Sequence, residues 1–100
     1  MKKMHFQNTD EFERVFKNTD IEITEAMVIG IEEAFTYQKK TADLFEISFE
    51  DVDLIYEISL PSTQWELALE SCLDQFHNSD MSDQAIDTYL LQKDIRKWLS

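Results

Sequence analysis

Two residues of the types that form a nucleophile–base pair, Cys72 and His77, lie close together in the sequence. A thiol hydrolase would use the cysteine as nucleophile and the histidine as its base. They lie five residues apart in a segment that predicts a helix, so their side chains point about 140° apart around its axis. Cys72 shares an apolar stripe with Trp65 and Leu69, where a cysteine behaves as an inert small hydrophobe. The spacing therefore predicts a buried core thiol.

A row of carboxylates before His77 could bind a divalent metal. Glu66, Glu70 and Asp74 recur every four residues and share one face of the predicted helix. Asp74 and His77 have usable ligand spacing, but a dinuclear site needs inward-facing Glu and Glu-x-x-His motifs from several helices. The chain has one Asp-x-x-His and no second copy of it. The row lies opposite the aromatic stripe, which predicts a solvated face.

Other signatures of chemistry are missing from the sequence. The calcium-loop pattern requires a glycine, and the one glycine of the chain is Gly30, so residues 50–53 are only a weak calcium candidate. There is no phosphate-binding glycine loop, Gly-x-Ser-x-Gly, His-Glu-x-x-His or Cys-x-x-Cys motif. We predict a protein that is not an enzyme, with no catalytic, cofactor-binding or metal-binding residues. A metal-dependent enzyme built on Asp74 and His77 is the least favoured alternative.

Acidic residues dominate the segment 41–92, here called the acidic block, which contains no lysine and no arginine. Its twelve carboxylates are Asp43, Glu46, Glu50, Asp51, Asp53, Glu57, Glu66, Glu70, Asp74, Asp80, Asp83 and Asp87. Ion pairs that are local in sequence cannot neutralise this block, so it predicts a negative potential. Such a field repels nucleic acid and anionic membrane and steers a basic partner inward.

The charge also suggests mimicry of a nucleic acid. Direct binding of DNA is disfavoured at a net charge of −12, because Lys and Arg supply most of the affinity for phosphates. Carboxylates spaced along a rigid surface can instead imitate a phosphate backbone. A DNA-mimic inhibitor of a nucleic-acid-binding protein is therefore an alternative to a simple acidic binding protein.

Two helices are predicted in the first forty residues. Asp10 is expected to cap a short helix with Glu13 in capping-box spacing, and Asn18-Thr19-Asp20 is expected to end it. The residues that share its apolar face are Phe12, Val15 and Phe16. A second, amphipathic helix is predicted from about residue 24 to 38. Gly30 at its middle costs about 1 kcal/mol against alanine, which indicates a close helix contact.

An antiparallel β-hairpin is predicted over about 44–60. Phe45, Ile47 and Phe49 alternate with polar residues, and the alternation resumes from Val52 until Pro61. The turn at residues 50–51 lacks Asn-Gly chemistry, and an apolar spacing of four, three, four also fits a helix. An all-α domain is therefore the alternative. Because an isolated hairpin is only marginally stable, burial under helices or dimerisation through its edge is expected.

The segment 62–99 predicts a helical hairpin. Its first helix is capped at Ser62 or Thr63 and its second at Ser82. The core side of the second helix is predicted to include Ile86, Leu90, Leu91, Ile95, Trp98 and Leu99. Trp98 and Leu99 lie near the end of this helix, where it could overhang the core and bind a partner protein or a second copy.

Size and composition fit one domain spanning 1–100. With 43% hydrophobic residues and twelve aromatic residues, the chain should fold despite its acidity. A single cysteine excludes an internal disulfide and fits a reducing cytoplasm. Neither a secretory signal nor an apolar run of membrane-spanning length is present. We expect a soluble cytoplasmic protein.

The C-terminal half is similar to a group of viral proteins. The segments that carry the likeness are Trp65–Phe76 and Gln84–Lys93. Together they resemble the small acidic helical-hairpin proteins of T4-type bacteriophages, including those that infect cyanobacteria. The resemblance covers about 62–99 and implies a small effector in the host cytoplasm that binds host or phage proteins. It assigns no role to any residue.

These observations predict an α+β domain in which the hairpin packs against about four helices. The expected function is that of a small acidic, non-catalytic accessory or regulatory factor that binds a partner protein stoichiometrically. The partner should have a basic surface. The candidate binding residues are Glu66, Glu70, Asp74, Trp98 and Leu99. A homo-oligomeric structural protein is a further alternative.

Overall fold

Three strands and four α-helices make up the protein in the computed structural model, which describes residues 2–17 and 21–99. The elements in chain order are β1 (Lys2–Phe6), α1 (Thr9–Lys17), α2 (Ile21–Thr36), β2 (Thr41–Phe49), β3 (Ile55–Pro61), α3 (Trp65–Asn78) and α4 (Ser82–Leu99). A 3-10 turn over Ser62–Gln64 leads into α3. The predicted α+β class is confirmed, whereas the break predicted at residues 18–20 lies outside the described residues.

The sheet has the order β1-β2-β3. β2 and β3 pair antiparallel, which confirms the predicted hairpin and shows that the all-α alternative is wrong. β1 pairs parallel with β2, with Lys2 opposite Phe45 and Phe6 opposite Phe49. The sequence analysis did not predict β1, because a five-residue strand at a terminus has little pattern of its own and its partner lies far along the chain.

A β-bulge in β2 determines which of its residues are buried. Asp43 pairs with Ser59 and Phe45 pairs with Ile58, so Leu44 is the extra residue on β2. Leu44 and Phe45 are consecutive and both buried, since a bulge interrupts the simple alternation of a strand. Beyond the bulge, every second residue of β2 up to Phe49 is buried.

The two faces of the sheet differ in composition. Helices pack on the face that carries Phe6, Phe45, Ile47 and Phe49, all buried. Cross-strand partners share a face, so the register also defines the opposite one, which we call the open face. Its side chains are exposed or half-buried and belong to Lys3, His5, Asp43, Glu46, Ser48, Ile55, Glu57 and Ser59. A sheet with one solvated face is usual for antiparallel strands.

Aromatic rings join α1 to the core face. Phe12 contacts Phe6, Phe16 and Phe49 with ring centroids 5.5, 4.5 and 5.9 Å apart. Phe49 in turn meets Tyr56 of β3 at 5.8 Å in an edge-to-face arrangement. Such pairs add about 0.5–1.5 kcal/mol each beyond the area they bury. The predicted apolar face of α1 is therefore what fixes this helix on the sheet.

The cap of α1 lies earlier than predicted. Asn8 Oδ1 accepts a hydrogen bond from the Glu11 backbone N–H at 2.9 Å, and Glu11 Oε2 accepts one from the Gln7 backbone N–H at 3.0 Å. Asn8 and Glu11 have the same three-residue spacing as the predicted pair of Asp10 and Glu13. The sequence contains the capping-box spacing twice, and the helix uses the first copy because it begins at Thr9.

The core side predicted for α4 is partly wrong. Leu91 and Ile95 are buried, but Ile86 and Leu90 are half or more exposed. The buried face contains Ala85, Thr88, Leu91, Gln92 and Ile95. Thr88 and Gln92 can be buried on this face because their polar groups are satisfied: Thr88 Oγ1 donates to the Gln84 carbonyl at 2.7 Å and Gln92 Nε2 to the Glu66 carbonyl at 3.1 Å.

Gly30 marks a close contact with β2 and not with another helix. A Cβ atom at this position would lie 2.7 Å from Leu44 Cδ2 and 3.4 Å from the Asp43 carbonyl oxygen. The first distance is too short for two carbon atoms in contact. A glycine is therefore needed where α2 crosses the bulge.

We predict that Gly30→Ala lowers the free energy of unfolding by about 1 kcal/mol, because overpacking against buried Leu44 outweighs the gain in helix propensity. Urea denaturation measures the change. In a Leu44→Ala background the same substitution should become neutral or stabilising. Equal effects in both backgrounds would show that Leu44 is not the obstacle.

Candidate functional site

The predicted acidic row on α3 contacts the chain's own last helix. Glu66 Oε1 accepts a hydrogen bond from Arg96 Nε at 2.6 Å and forms an ion pair with the same guanidinium. Glu70 Oε2 accepts one from Gln92 Nε2 at 2.8 Å. Asp74, one turn further on, is exposed. Two of the three predicted binding carboxylates therefore hold α3 and α4 together, and the Glu66 side chain is still 41% exposed.

Trp98 and Leu99 lie at the edge of the core. The indole of Trp98 stacks on that of Trp65 with centroids 6.0 Å apart and meets Phe35 edge to face at 5.6 Å. Trp65 is fully buried and donates from Nε1 to the Leu60 carbonyl at 2.8 Å. Trp98 remains 40% exposed and Leu99 43% exposed. Trp98 therefore packs against core residues of its own chain. A partner-binding role for Trp98 and Leu99 stays a prediction.

The cysteine and histidine considered for catalysis are in different environments. Cys72 is buried, and its Sγ atom lies 3.9 Å from the Thr24 carbonyl oxygen. Burial raises the pKa of the Cys72 thiol from 9.0 to about 11, since the thiolate would be poorly solvated there. His77 is exposed. In the described part of the chain, no group of three or more His, Cys, Asp or Glu could hold a metal ion.

An apolar opening lies beside the hairpin turn, on the core face of the sheet. It has a volume of about 500 Å³, and we call it the tip groove. Its apolar walls are Phe12, Ile47, Phe49, Val52, Tyr56 and Ile58. The tip groove lies at the end of the aromatic cluster, next to α1. Glu13 and Asp51 also line it, and Glu57, whose side chain lies on the open face, borders it, so carboxylates flank an apolar floor.

Large apolar side chains are exposed around the tip groove. Val52 is 43%, Leu54 55%, Ile55 66% and Tyr56 49% exposed. Residues 50–54 form the connection between β2 and β3, and all five are exposed. Soluble proteins rarely expose contiguous apolar patches without a binding function. This end of the sheet, with its groove and exposed apolar side chains, is therefore the candidate binding surface.

Sequence reasoning missed the tip groove, although a signal was present. Leu54, Ile55 and Tyr56 are consecutive apolar residues at the start of β3. A strand directs successive side chains to opposite faces, so at least one of the three has to leave the core. Ile55 points to the open face opposite Ser48, and Tyr56 lies opposite Ile47 on the core face. The alternation of apolar and polar residues did not by itself show that side chains on both faces of the sheet would be exposed near the hairpin turn.

His5 connects β1 to the base of the hairpin turn. Its Nδ1 lies 2.9 Å from Ser48 Oγ, and its Nε2 lies 2.9 Å from Glu50 Oε2. The Glu50 backbone N–H also donates to the Phe6 carbonyl at 2.8 Å. The sequence analysis gave His5 no role, because the parallel strand that positions it was not predicted. This network holds the first residue of the turn against β1.

A scan against protein-family models finds no match to this chain, and searches of the curated proteins and of the solved structures find none. The resemblance of 62–99 to phage helical-hairpin proteins therefore stays a prediction. Within the described residues, no helix combines the length and apolar composition that crossing a membrane requires. The geometry of the chain is the basis for a functional proposal.

We predict that Glu66→Lys destabilises the protein by about 1 kcal/mol relative to Asp74→Lys, because it sets a cation against Arg96. Asp74→Lys is the matched control, since it makes the same change of charge on the same helix. Thermal and urea unfolding compare the two. The exchange Glu66→Arg with Arg96→Glu should recover most of the loss, and equal stability of the two single variants would show that the ion pair contributes nothing.

We predict that Cys72 destabilises the protein at alkaline pH. The folded thiol has its pKa near 11 and the unfolded one near 9, so the unfolded state loses its proton first and stability falls between these values. By pH 11 the loss should reach about 2 kcal/mol. Urea unfolding of the parent and Cys72→Ala at several pH values isolates this effect from other titrating groups. Parallel pH profiles would show that the thiol is not buried.

Proposed function

We propose that this protein is a small acidic accessory factor that binds a partner protein stoichiometrically, without catalysis, through the tip groove. The observation that supports this proposal is the combination of an apolar groove of about 500 Å³ with a rim of carboxylates on a strand edge. Apolar floors supply affinity, and polar rims supply orientation and specificity. Val52 and Tyr56 are the exposed apolar residues that would enter the centre of such an interface.

The charge of the rim indicates the chemistry of the partner. The carboxylates near the groove are those of Glu13 and Asp51, with Asp53 beside them in the turn and Glu57 on the other face of β3. A basic partner surface would neutralise them, whereas an acidic one would be repelled. The net charge of −12 extends this preference to long range and accelerates association with a cation-rich surface. The proposed partner is therefore a protein that presents an apolar segment flanked by Lys or Arg.

The positions of the predicted binding residues refine this proposal. Glu66 and Glu70 are engaged with α4, so their replacement would change folding as well as any binding. Of the exposed residues that line the tip groove, Tyr56 packs edge to face on Phe49, whereas Val52 lies in the turn. Val52 and Leu54 lie in the turn and can be changed without opening the core. They are the better residues for separating binding from stability.

We predict that a Val52→Ser/Leu54→Ser variant loses its partner in affinity capture from the lysate of the producing cells. The parent should retain one protein and bind it roughly tenfold more tightly than this variant does. The parent should release that protein more readily at about 0.5 M salt than at low salt, because charges beyond about 4 Å are then screened. Mass spectrometry identifies the protein, and light scattering of the purified complex measures its stoichiometry.

An Ile29→Ser/Leu67→Ser variant is the matched control, because both residues are exposed apolar side chains on helices. It should bind like the parent. Equal capture by all three proteins would move the binding site away from the tip groove. Displacement of the captured protein by excess duplex DNA would identify the DNA-mimic alternative, and a mass well above 11.9 kDa without any partner would favour the homo-oligomeric one.

A further inference from the structure

The outer edge of β3 is a free strand edge. β3 is the last strand of the sheet and pairs only with β2 among the described strands. The Ser62 backbone N–H donates to the Lys40 carbonyl at 2.8 Å, so the even-numbered residues of β3 direct their backbone groups toward β2. Ile55, Glu57 and Ser59 therefore direct theirs outward. A row of unpaired N–H and C=O groups is a template for another strand.

Charges on the open face run in a row across the sheet toward that edge. Lys3 of β1 lies opposite Glu46 of β2, with Nζ 4.0 Å from Oε2. Glu46 lies opposite Glu57 of β3. Like charges that are directly opposite on neighbouring strands destabilise a sheet. Within the described residues Glu57 forms no hydrogen bond or ion pair, so the row ends in an uncompensated carboxylate at the free edge.

The adjacent positions along β3 are apolar. Ile55, two residues before Glu57, shares the open face with it and is 66% exposed. Tyr56 between them points to the core face and lines the tip groove. A strand laid beside β3 would bring one side chain opposite Glu57, one opposite Ile55 and one over the tip groove. The chemistry that fits these three positions is basic, apolar and apolar.

We propose that the edge of β3 accepts an extended segment of the partner protein as a fourth strand, with Lys or Arg opposite Glu57. An apolar residue of that segment packs on Ile55, and the intervening apolar residue enters the tip groove beside Tyr56. The order along the segment is Lys-apolar-apolar if it runs antiparallel to β3 and the reverse if it runs parallel. Main-chain hydrogen bonds provide affinity, and alternate side chains provide specificity. This inference rests on the proposed function.

A second copy of this chain fits the edge poorly. Symmetric antiparallel pairing of β3 with itself places Glu57 opposite another Glu57, opposite Ile55 or opposite Ser59, and β3 contains no cation. The strand that carries lysines is β1, and its Lys3 already pairs with Glu46. Each copy also has a net charge of −12. Charge therefore favours a basic segment of a different protein.

Backbone amide exchange with synthetic peptides tests strand addition directly. The probes are ten-residue peptides with a central Lys-Val-Val or Val-Val-Lys flanked by threonines, each compared with its Glu counterpart. With the intact protein, the Lys peptide of one orientation should protect the amides of Ile55, Glu57 and Ser59 from exchange. It should bind roughly tenfold more tightly than the Glu peptide. No binding by either Lys peptide at millimolar concentration would overturn the proposal.

Charge reversal provides the decisive control. Glu57→Lys should invert the preference between the Lys and Glu peptides. Asp87→Lys makes an equal change of charge at an exposed residue of α4 and should leave the preference unchanged. Peptide binding that protects other amides, or that ignores Glu57→Lys, would overturn strand addition. A mass that rises with protein concentration above 11.9 kDa and falls with Lys3→Glu would identify β1 of a second copy as the occupant and would also overturn it.

The same variants separate this inference from the proposed function. A captured partner that is lost by Val52→Ser/Leu54→Ser and retained by Glu57→Lys would leave the tip groove as a binding site and overturn strand addition. Loss of that partner from both variants, with retention by Asp87→Lys, supports strand addition. Capture of no partner by the parent protein would instead overturn the proposed function.

Discussion

Because β1 and β2 run parallel, the chain between them has to cross from one end of the sheet to the other. α1 and α2 make this crossover, and both pack on the core face. Gly30 allows α2 to approach the bulge at Leu44, and the rings of Phe12 and Phe16 fix α1 nearby. The side chains of the open face stay exposed or half-buried, since none of the described helices packs on them. The single parallel pairing thus decides which side of the sheet is core and which is surface.

The tertiary structure also changes the charge distribution of the acidic block, which is uniformly negative along the sequence. β1 carries Lys3 and His5 to Glu46 and Glu50, and the end of α4 carries Arg96 to Glu66. Lys3 and Arg96, which lie outside the acidic block in sequence, therefore meet particular carboxylates of the block in space. The field is reduced along β1 and between α3 and α4. Within the described residues, no ion pair forms at Asp51 or Asp53 of the turn or at Glu57 of β3, the strand furthest from β1 in the sheet.

Apolar packing is incomplete beside these unpaired carboxylates. The aromatic cluster that begins at Phe16 ends at Tyr56, which is half-exposed on the edge strand β3 beside the hairpin turn. A free edge with exposed apolar side chains invites self-association. Glu57 and the high net charge oppose such self-association, since two acidic edges repel each other. A surface of this kind remains available for a partner of opposite charge.

The sequence by itself determined the hairpin, the four helices and the burial of Cys72, because these follow from periodicities that are local along the chain. It did not determine β1, the rotation of α4 or the cap of α1, which depend on non-local pairing or on a choice between equivalent spacings. The internal role of Glu66, the tip groove and the edge of β3 were decided only by tertiary structure. A helix face or strand face becomes a site only when packing leaves it uncovered, and that depends on contacts between residues far apart in sequence.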